Sequence, residues 1–181
     1  MAAHTIHKQS LLPLIAVVAL GGGLAACETA PVDRGFGPFP GPAPSRAVFN
    51  AADFAWSTAS GPASIDGRID YRRDGRVFDC TGSVGLTPDT PYTRARFRTL
   101  YGSTDRAAVP ESIVRARTVP DPNADYRSYV RSTTCRDGRF SFSGLPAGGW
   151  FVIAPVSAGG EERVVLMRFV TTRNGRVSIT L

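Results

Sequence analysis

The side chains that most often carry proton transfer and nucleophilic attack are scarce in this chain. His4 and His7 are its only histidines and Lys8 its only lysine, so all three lie within the first eight residues. Beyond them no Ser-His-Asp or Cys-His pair can be assembled, and no His-rich catalytic zinc site. Schiff-base chemistry and a lysine-bearing phosphate loop are excluded on the same ground. What remains for acid–base work is carboxylates, which can act in pairs across a glycosidic bond. Glu161-Glu162 are adjacent, and on a strand they would point to opposite faces. Asp105 with Glu111, or Asp121 with Asp125, could converge if a loop joins them, although solvated loop carboxylates account for them as well. Asp121-Pro122-Asn123-Ala124-Asp125 opens like a calcium loop, but Tyr126 stands where the turn glycine belongs and Ser132 where the bidentate Glu belongs. No metal site, no cofactor and no enzymatic activity is therefore expected.

The charged chemistry is arginine's. All but one of the 21 basic residues are Arg, against 15 Asp and Glu, for a net charge of +6. They are spread through the chain with no run longer than Arg72-Arg73, so nucleic acid is not an expected partner. An anionic polysaccharide, a lipid phosphate or a peptide carboxylate fits guanidinium forks better. A solvated arginine face is the alternative.

The N-terminal segment sets the compartment. A polar start with Lys8 leads into an apolar stretch from Leu11 to Leu20, interrupted by Pro13 and closed by Gly21-Gly22-Gly23, which is too short for a comfortable transmembrane helix. Small residues follow and end in Leu24-Ala25-Ala26-Cys27. This pattern resembles the lipobox of bacterial lipoproteins, which implies cleavage between Ala26 and Cys27 and diacylglyceryl transfer to the Cys27 thiol. Residues 1–26 are thus expected to be a signal peptide, and Cys27 the membrane anchor. Glu28 in the following position resembles the outer-membrane sorting signal. Residues 27–46 are dense in Pro and Gly and read as a tether.

The elements that would position any site begin after that tether. Residues 47–62 read as a lead-in, a short helix or strand lying on the domain, and a single domain spans 63–181. Ile65, Ile69 and Tyr71 share a strand face, and Asp74-Gly75 turns a hairpin into Arg76–Cys80. Val84 and Leu86 mark another strand. Thr90 as N-cap, Pro91 at the first helical position and Gly102 beyond the end predict a short helix, with a strand over 94–101 as its rival. Residues 103–125 read as a long loop with a short extended piece near Ile113–Val119. Tyr126–Cys135 and Glu161–Val170 read as strands, and Asn174-Gly175 as the tightest hairpin dipeptide of the chain.

The clearest stretch runs from Asp137 to Trp150. Asp137-Gly138 suits a turn, Phe140 and Phe142 share a buried face, Leu145-Pro146 leaves the ladder, and Gly148-Gly149 opens into Trp150-Phe151-Val152-Ile153. Gly138, Phe140, Phe142, Leu145, Pro146, Gly148, Trp150 and Val152 resemble the pattern of carboxypeptidase regulatory-like domains. Ile65–Ile69 and Ser83–Pro88 resemble the family's first strands. The resemblance covers roughly residues 60–156 and implies an all-β, prealbumin-like (transthyretin-like) β-sandwich of about seven strands with one short helix. It also implies an accessory role without an active site.

Two cysteines remain once Cys27 is assigned to lipid. Cys80 and Cys135 each end an expected strand in an oxidising compartment, so a disulfide between them is expected, with two separately buried thiols as the alternative. The functional expectation is a non-catalytic envelope lipoprotein that presents a binding or structural module, with a membrane partner through its anchor and an envelope polysaccharide or protein as possible ligand. A ligand-binding accessory module using the 103–125 loop and exposed Tyr101, Tyr126 and Tyr129 is the alternative; no particular ligand-binding residue follows from sequence.

Overall fold

The computed structural model describes residues 47–119 and 124–181; Cys27, the leader, the tether and Asp121 lie outside the described residues. Ten strands form two sheets, an all-β sandwich. The smaller sheet has the order β10-β1-β7, from Arg176–Thr180, Ala63–Arg68 and Arg139–Leu145. The larger sheet is organised around β8 (Gly148–Ser157), which pairs along all ten residues with β9 (Arg163–Thr172). Its other edge is shared. β4 (Ser83–Pro88) takes the stretch from Trp150 to Ile153, and β3 (Arg76–Cys80) takes Val156 and Ser157. Outside these lie β2 (Tyr71–Arg73) on β3, β6 (Arg131–Thr134) on β4, and β5 (Arg106–Pro110) on β9.

Alternation explains the core. Phe140, Phe142 and Leu145 of β7 are buried with Ile65 of β1 against Val84, Leu86, Trp150, Val152 and Ala154 of the large sheet. β8 is apolar on both faces because both are covered: Phe151 faces the opposite way and meets Phe97 of α1 (Pro91–Tyr101) with ring centroids 4.9 Å apart. The helix forms for the reasons legible in its ends. Thr90 accepts from the Thr93 amide at 3.1 Å, the Thr93 hydroxyl accepts from the Thr90 amide at 2.9 Å, and Gly102 takes φ 74° at the C-terminus. The rival strand over this segment is not formed.

The lead-in resolves as a 3-10 helix over Ala51–Thr58, capped by the Asn50 side chain. Phe54 is fully buried, and Trp56 packs edge-on against Trp150 at 4.9 Å. Gly148 permits that approach, since a Cβ there would fall 2.2 Å from the Trp56 ring. Arg131 then ties the segment down, donating to the carbonyls of Ser57 (2.7 Å), Ala59 and Gly144.

Several expectations are corrected. The sandwich has ten strands rather than about seven, and helices α1 and α2 (Glu111–Ala116) plus two 3-10 helices rather than one helix. The strand carrying Ile65 ends at Arg68, so Ile69 lies between strands and Tyr71 begins the next strand. The supposed loop from residue 103 contains β5 and α2, because Ala107 and Val109 supply a strand pattern that Pro110 obscures in sequence. Residues 124–129 form a 3-10 helix, and only Arg131–Thr134 of the expected 126–135 strand pairs. Glu161-Glu162 sit in the turn ahead of β9, not on the strand.

The Asn174-Gly175 turn is the most instructive correction. β10 does not fold back on β9; it crosses to the other sheet and pairs in parallel with β1, Ile65 opposite Val177. Both edges of β9 are already taken, by β8 and β5, so no hairpin partner position is left there. Asp74-Gly75 does make its hairpin, with φ 52° and 74° as a type I′ turn requires. Cys80 and Cys135 form the expected disulfide with Cα atoms 6.0 Å apart, joining the ends of β3 and β6 on the split side of the large sheet.

Candidate binding groove

The outer face of β4 is open where its inner face is core. Val84 and Leu86 point inward, so Ser83, Gly85 and Thr87 point outward by the period of two. Ser132 of β6 lies opposite Gly85 in register and shares that face, and Ile153 of β8 is Gly85's partner on the other side. α1 stands along one side of this floor through Phe97, Leu100 and Tyr101. The 3-10 helix Ala124–Tyr129 stands along the other through Tyr126, Arg127 and the following Val130. Together they enclose a groove of about 470 Å³, within the size range of small-ligand sites. Gly85 keeps the floor low: a Cβ there would meet its nearest neighbour, Val130, only at 3.7 Å, so the space above it is unfilled.

Its walls are aromatic and cationic. The Tyr126 ring has two guanidinium groups near it, Arg96 at 4.8 Å and Arg127 at 5.8 Å from its centroid. Such contacts favour one orientation of the ring. Burial pushes the Tyr101 phenol up to about 12, with a further upward push from Tyr126 against a downward one from Arg96. Tyr101 therefore stays protonated across physiological pH and remains a hydrogen-bond donor.

Of the three tyrosines singled out from sequence, Tyr101 and Tyr126 line the groove and Tyr129 does not. Tyr129 packs on Phe54 at 4.8 Å and Phe49 at 6.4 Å, in a cluster whose buried members are Phe54, Tyr92 and Tyr126. None of the three is an exposed platform: Tyr126 is buried and the other two are half-buried, because the lead-in segment and α1 use their ring faces as packing surface. Ser83, Gly85, Thr87 and Ser132 were missed. The signal for them was present, since the apolar positions 84 and 86 already assign their neighbours to the opposite face.

The carboxylates separate differently. Asp105 and Glu111 flank opposite ends of β5, about 20 Å apart at strand rise, and do not converge. Glu111 and Glu162 do line one cleft of about 500 Å³. Each is enclosed by arginine: Glu162 pairs with Arg73 and Arg76, and Glu111 with Arg115 and, at 3.9 Å, Arg163. The Glu162 hydrogen bond raises the Arg73 guanidinium above its ordinary value. All four oxygens of Glu111 and Glu162 thus face cations, so neither of these two carboxylates is a free base. Asp125 heads the 124–129 turn, where its carbonyl accepts from the Ser128 hydroxyl at 2.6 Å. Among the described residues no group of three or more His, Cys, Asp or Glu side chains could hold a metal ion, and no helix is long and apolar enough to cross a membrane.

No family model and no curated protein matches this sequence. Among solved structures, the chain is similar to a crystal structure from Pseudomonas aeruginosa titled a "putative carbohydrate binding protein". The identity is 18%, the TM-score 0.46, and the match covers 74% of this chain and 97% of the other. That likeness is too distant to carry the neighbour's ligand across to this chain.

Proposed function

We propose that this chain is a non-catalytic binding module of a bacterial envelope, held at a membrane by an acylated Cys27, that takes a polyhydroxylated ligand of the saccharide class in the groove between α1 and the 124–129 turn. The observation that carries this reading is the make-up of the groove. It sets the Tyr101 phenol, neutral at physiological pH, and the Arg127 fork above a floor bearing the hydroxyls of Ser83 and Ser132. Saccharides present alternating hydroxyls and apolar ring faces, and such a wall of donors, acceptors and aromatic edges is complementary to both. The absence of His and Lys beyond residue 8 supports binding without catalysis. The lipobox resemblance supports the anchor, with the outer membrane as its destination, and the corner residues 138–152 support membership of the carboxypeptidase regulatory-like group.

The test is titration calorimetry of the full chain against oligosaccharides released from a bacterial envelope. Saturable binding that Gly85→Leu abolishes and Arg127→Ala weakens is the expected result. Gly85→Leu fills the floor without touching the core, so its melting temperature should stay near that of the parent. A folded parent chain that binds no saccharide, or binds equally well with Gly85→Leu, would overturn the reading.

A further inference from the structure

A second cavity, on the opposite side of the large sheet, has the opposite character. β5 pairs with β9 so that Ala107 stands opposite Met167 and Arg106 opposite Arg168. Ala107 and Met167 pack under α1. Arg106, Ala108, Leu166 and Arg168 therefore face the other way, toward the small sheet. The small sheet does not reach that far. It ends at β10, so the inner face of β5 and the adjoining part of β9 overhang it, and Ala108 is exposed. Tyr71, Thr180 and Leu181 close the far side and leave an apolar slot of about 420 Å³ with the two arginines at its rim.

The arginines are what make the slot more than a packing gap. Residues directly opposite in an antiparallel ladder have Cβ atoms about 5 Å apart, and like charges there repel. Several other arginines meet carboxylates: Arg73 and Arg76 share Glu162, Arg94 meets Asp89, and Arg176 meets Asp66. Arg106 and Arg168 have no carboxylate partner among the described residues. Arg168 donates only to the Thr180 carbonyl at the end of β10, and Arg106 has no side-chain partner there. A cross-strand cation pair kept beside an apolar slot matches one kind of ligand, an anionic head that two forks can share and a hydrocarbon chain that the slot can take.

We propose that the slot between β5, β9 and the C-terminal end of β10 binds the single alkyl chain of an anionic amphiphile, with Arg106 and Arg168 on its headgroup. This site is separate from the saccharide groove, and its test does not depend on that groove. The full chain is titrated with dodecyl phosphate below its micelle concentration, and in parallel with a polyoxyethylene dodecyl ether, which keeps the chain but has neither charge nor sugar, and with inorganic phosphate, which has no chain. Dodecyl phosphate should bind, the dodecyl ether should bind at least about tenfold more weakly, and inorganic phosphate should not saturate. Arg106→Gln should weaken dodecyl phosphate about tenfold and leave the dodecyl ether unchanged. Ala108→Trp, at an exposed edge position where it fills the slot without entering the core, should abolish binding of both amphiphiles. Equal affinity for the two amphiphiles, or dodecyl phosphate binding that survives Ala108→Trp in a folded protein, would overturn the proposal.

Discussion

The indole Nε1 of Trp150 donates to the Thr172 hydroxyl at 3.0 Å, and that hydroxyl lies 2.7 Å from the Pro146 carbonyl. Both residues are essentially without solvent contact. The bond therefore fastens the Leu145–Gly149 corner, where the chain passes between the sheets, to the far end of β9. Thr172→Val keeps the shape and orphans both groups, which should cost about 1 to 3 kcal/mol in a denaturant melt. In a double-mutant cycle with Trp150→Phe, the combined loss should fall short of the sum. Strict additivity would mean that the two side chains do not interact.

Phe142 sits opposite Ile65 across the β1–β7 ladder, with its ring 6.1 Å from that of Phe140. Phe142→Ala should cost about 3 to 5 kcal/mol, a large share of a typical domain's stability. Arg139 on the other face is exposed, and Arg139→Ala should change the melting midpoint little. Similar losses at both positions would mean that the faces of β7 are assigned the wrong way round.

These two sites show why part of the fold was legible. The corner is written locally, in a period of two followed by Pro and Gly, and the ends of α1 are written locally in Thr90, Pro91 and Gly102. Asn174-Gly175 is equally clear as a turn, yet its destination depends on β5 having occupied the edge of β9, a fact located some 70 residues upstream. β5 itself is five residues that follow a polar turn and end in Pro110, and it becomes a strand only because β9 offers an edge. The groove was half legible for the same reason. Its floor follows from alternation, whereas the company kept by Tyr101 and Tyr126, and the loss of Tyr129 to the Phe49–Phe54 cluster, are decided by long-range packing.

Cys80 and Cys135 are separated by 55 residues. Closing a loop of that length removes denatured-state entropy worth about 4 kcal/mol. The bond also joins β3 to the outermost strand, β6, across the break where β8 changes partner. The Cys80→Ser, Cys135→Ser double variant should therefore melt well below the parent. Two titratable thiols in the unreduced, denatured protein would contradict the bond.

Anchoring by Cys27 is checked by mass spectrometry on protein from a bacterial membrane fraction. The expected mature chain begins at Cys27 and carries acyl groups. Cys27→Ala should yield an uncleaved or unanchored product. An unmodified mature chain that starts at another residue would remove the anchor from the functional reading.

Tyr101 couples the groove to pH. Its phenol is raised by burial to about 12 in the folded chain, against about 10 in the unfolded chain. The folded state thus favours the neutral phenol. The stabilisation from this difference is fully present below pH 10, is lost as pH rises from about 10 to about 12, and is worth about 2 to 3 kcal/mol at most. Tyr101→Phe removes the titrating group, so the variant's stability should fall less steeply than the parent's over that alkaline window and match its slope at neutral pH. An ultraviolet titration of the native protein should show a tyrosine ionisation near pH 12 that Tyr101→Phe removes. Parent and Tyr101→Phe stability curves that run parallel from pH 8 to pH 12 would show that the Tyr101 hydroxyl is solvated rather than held in the groove wall.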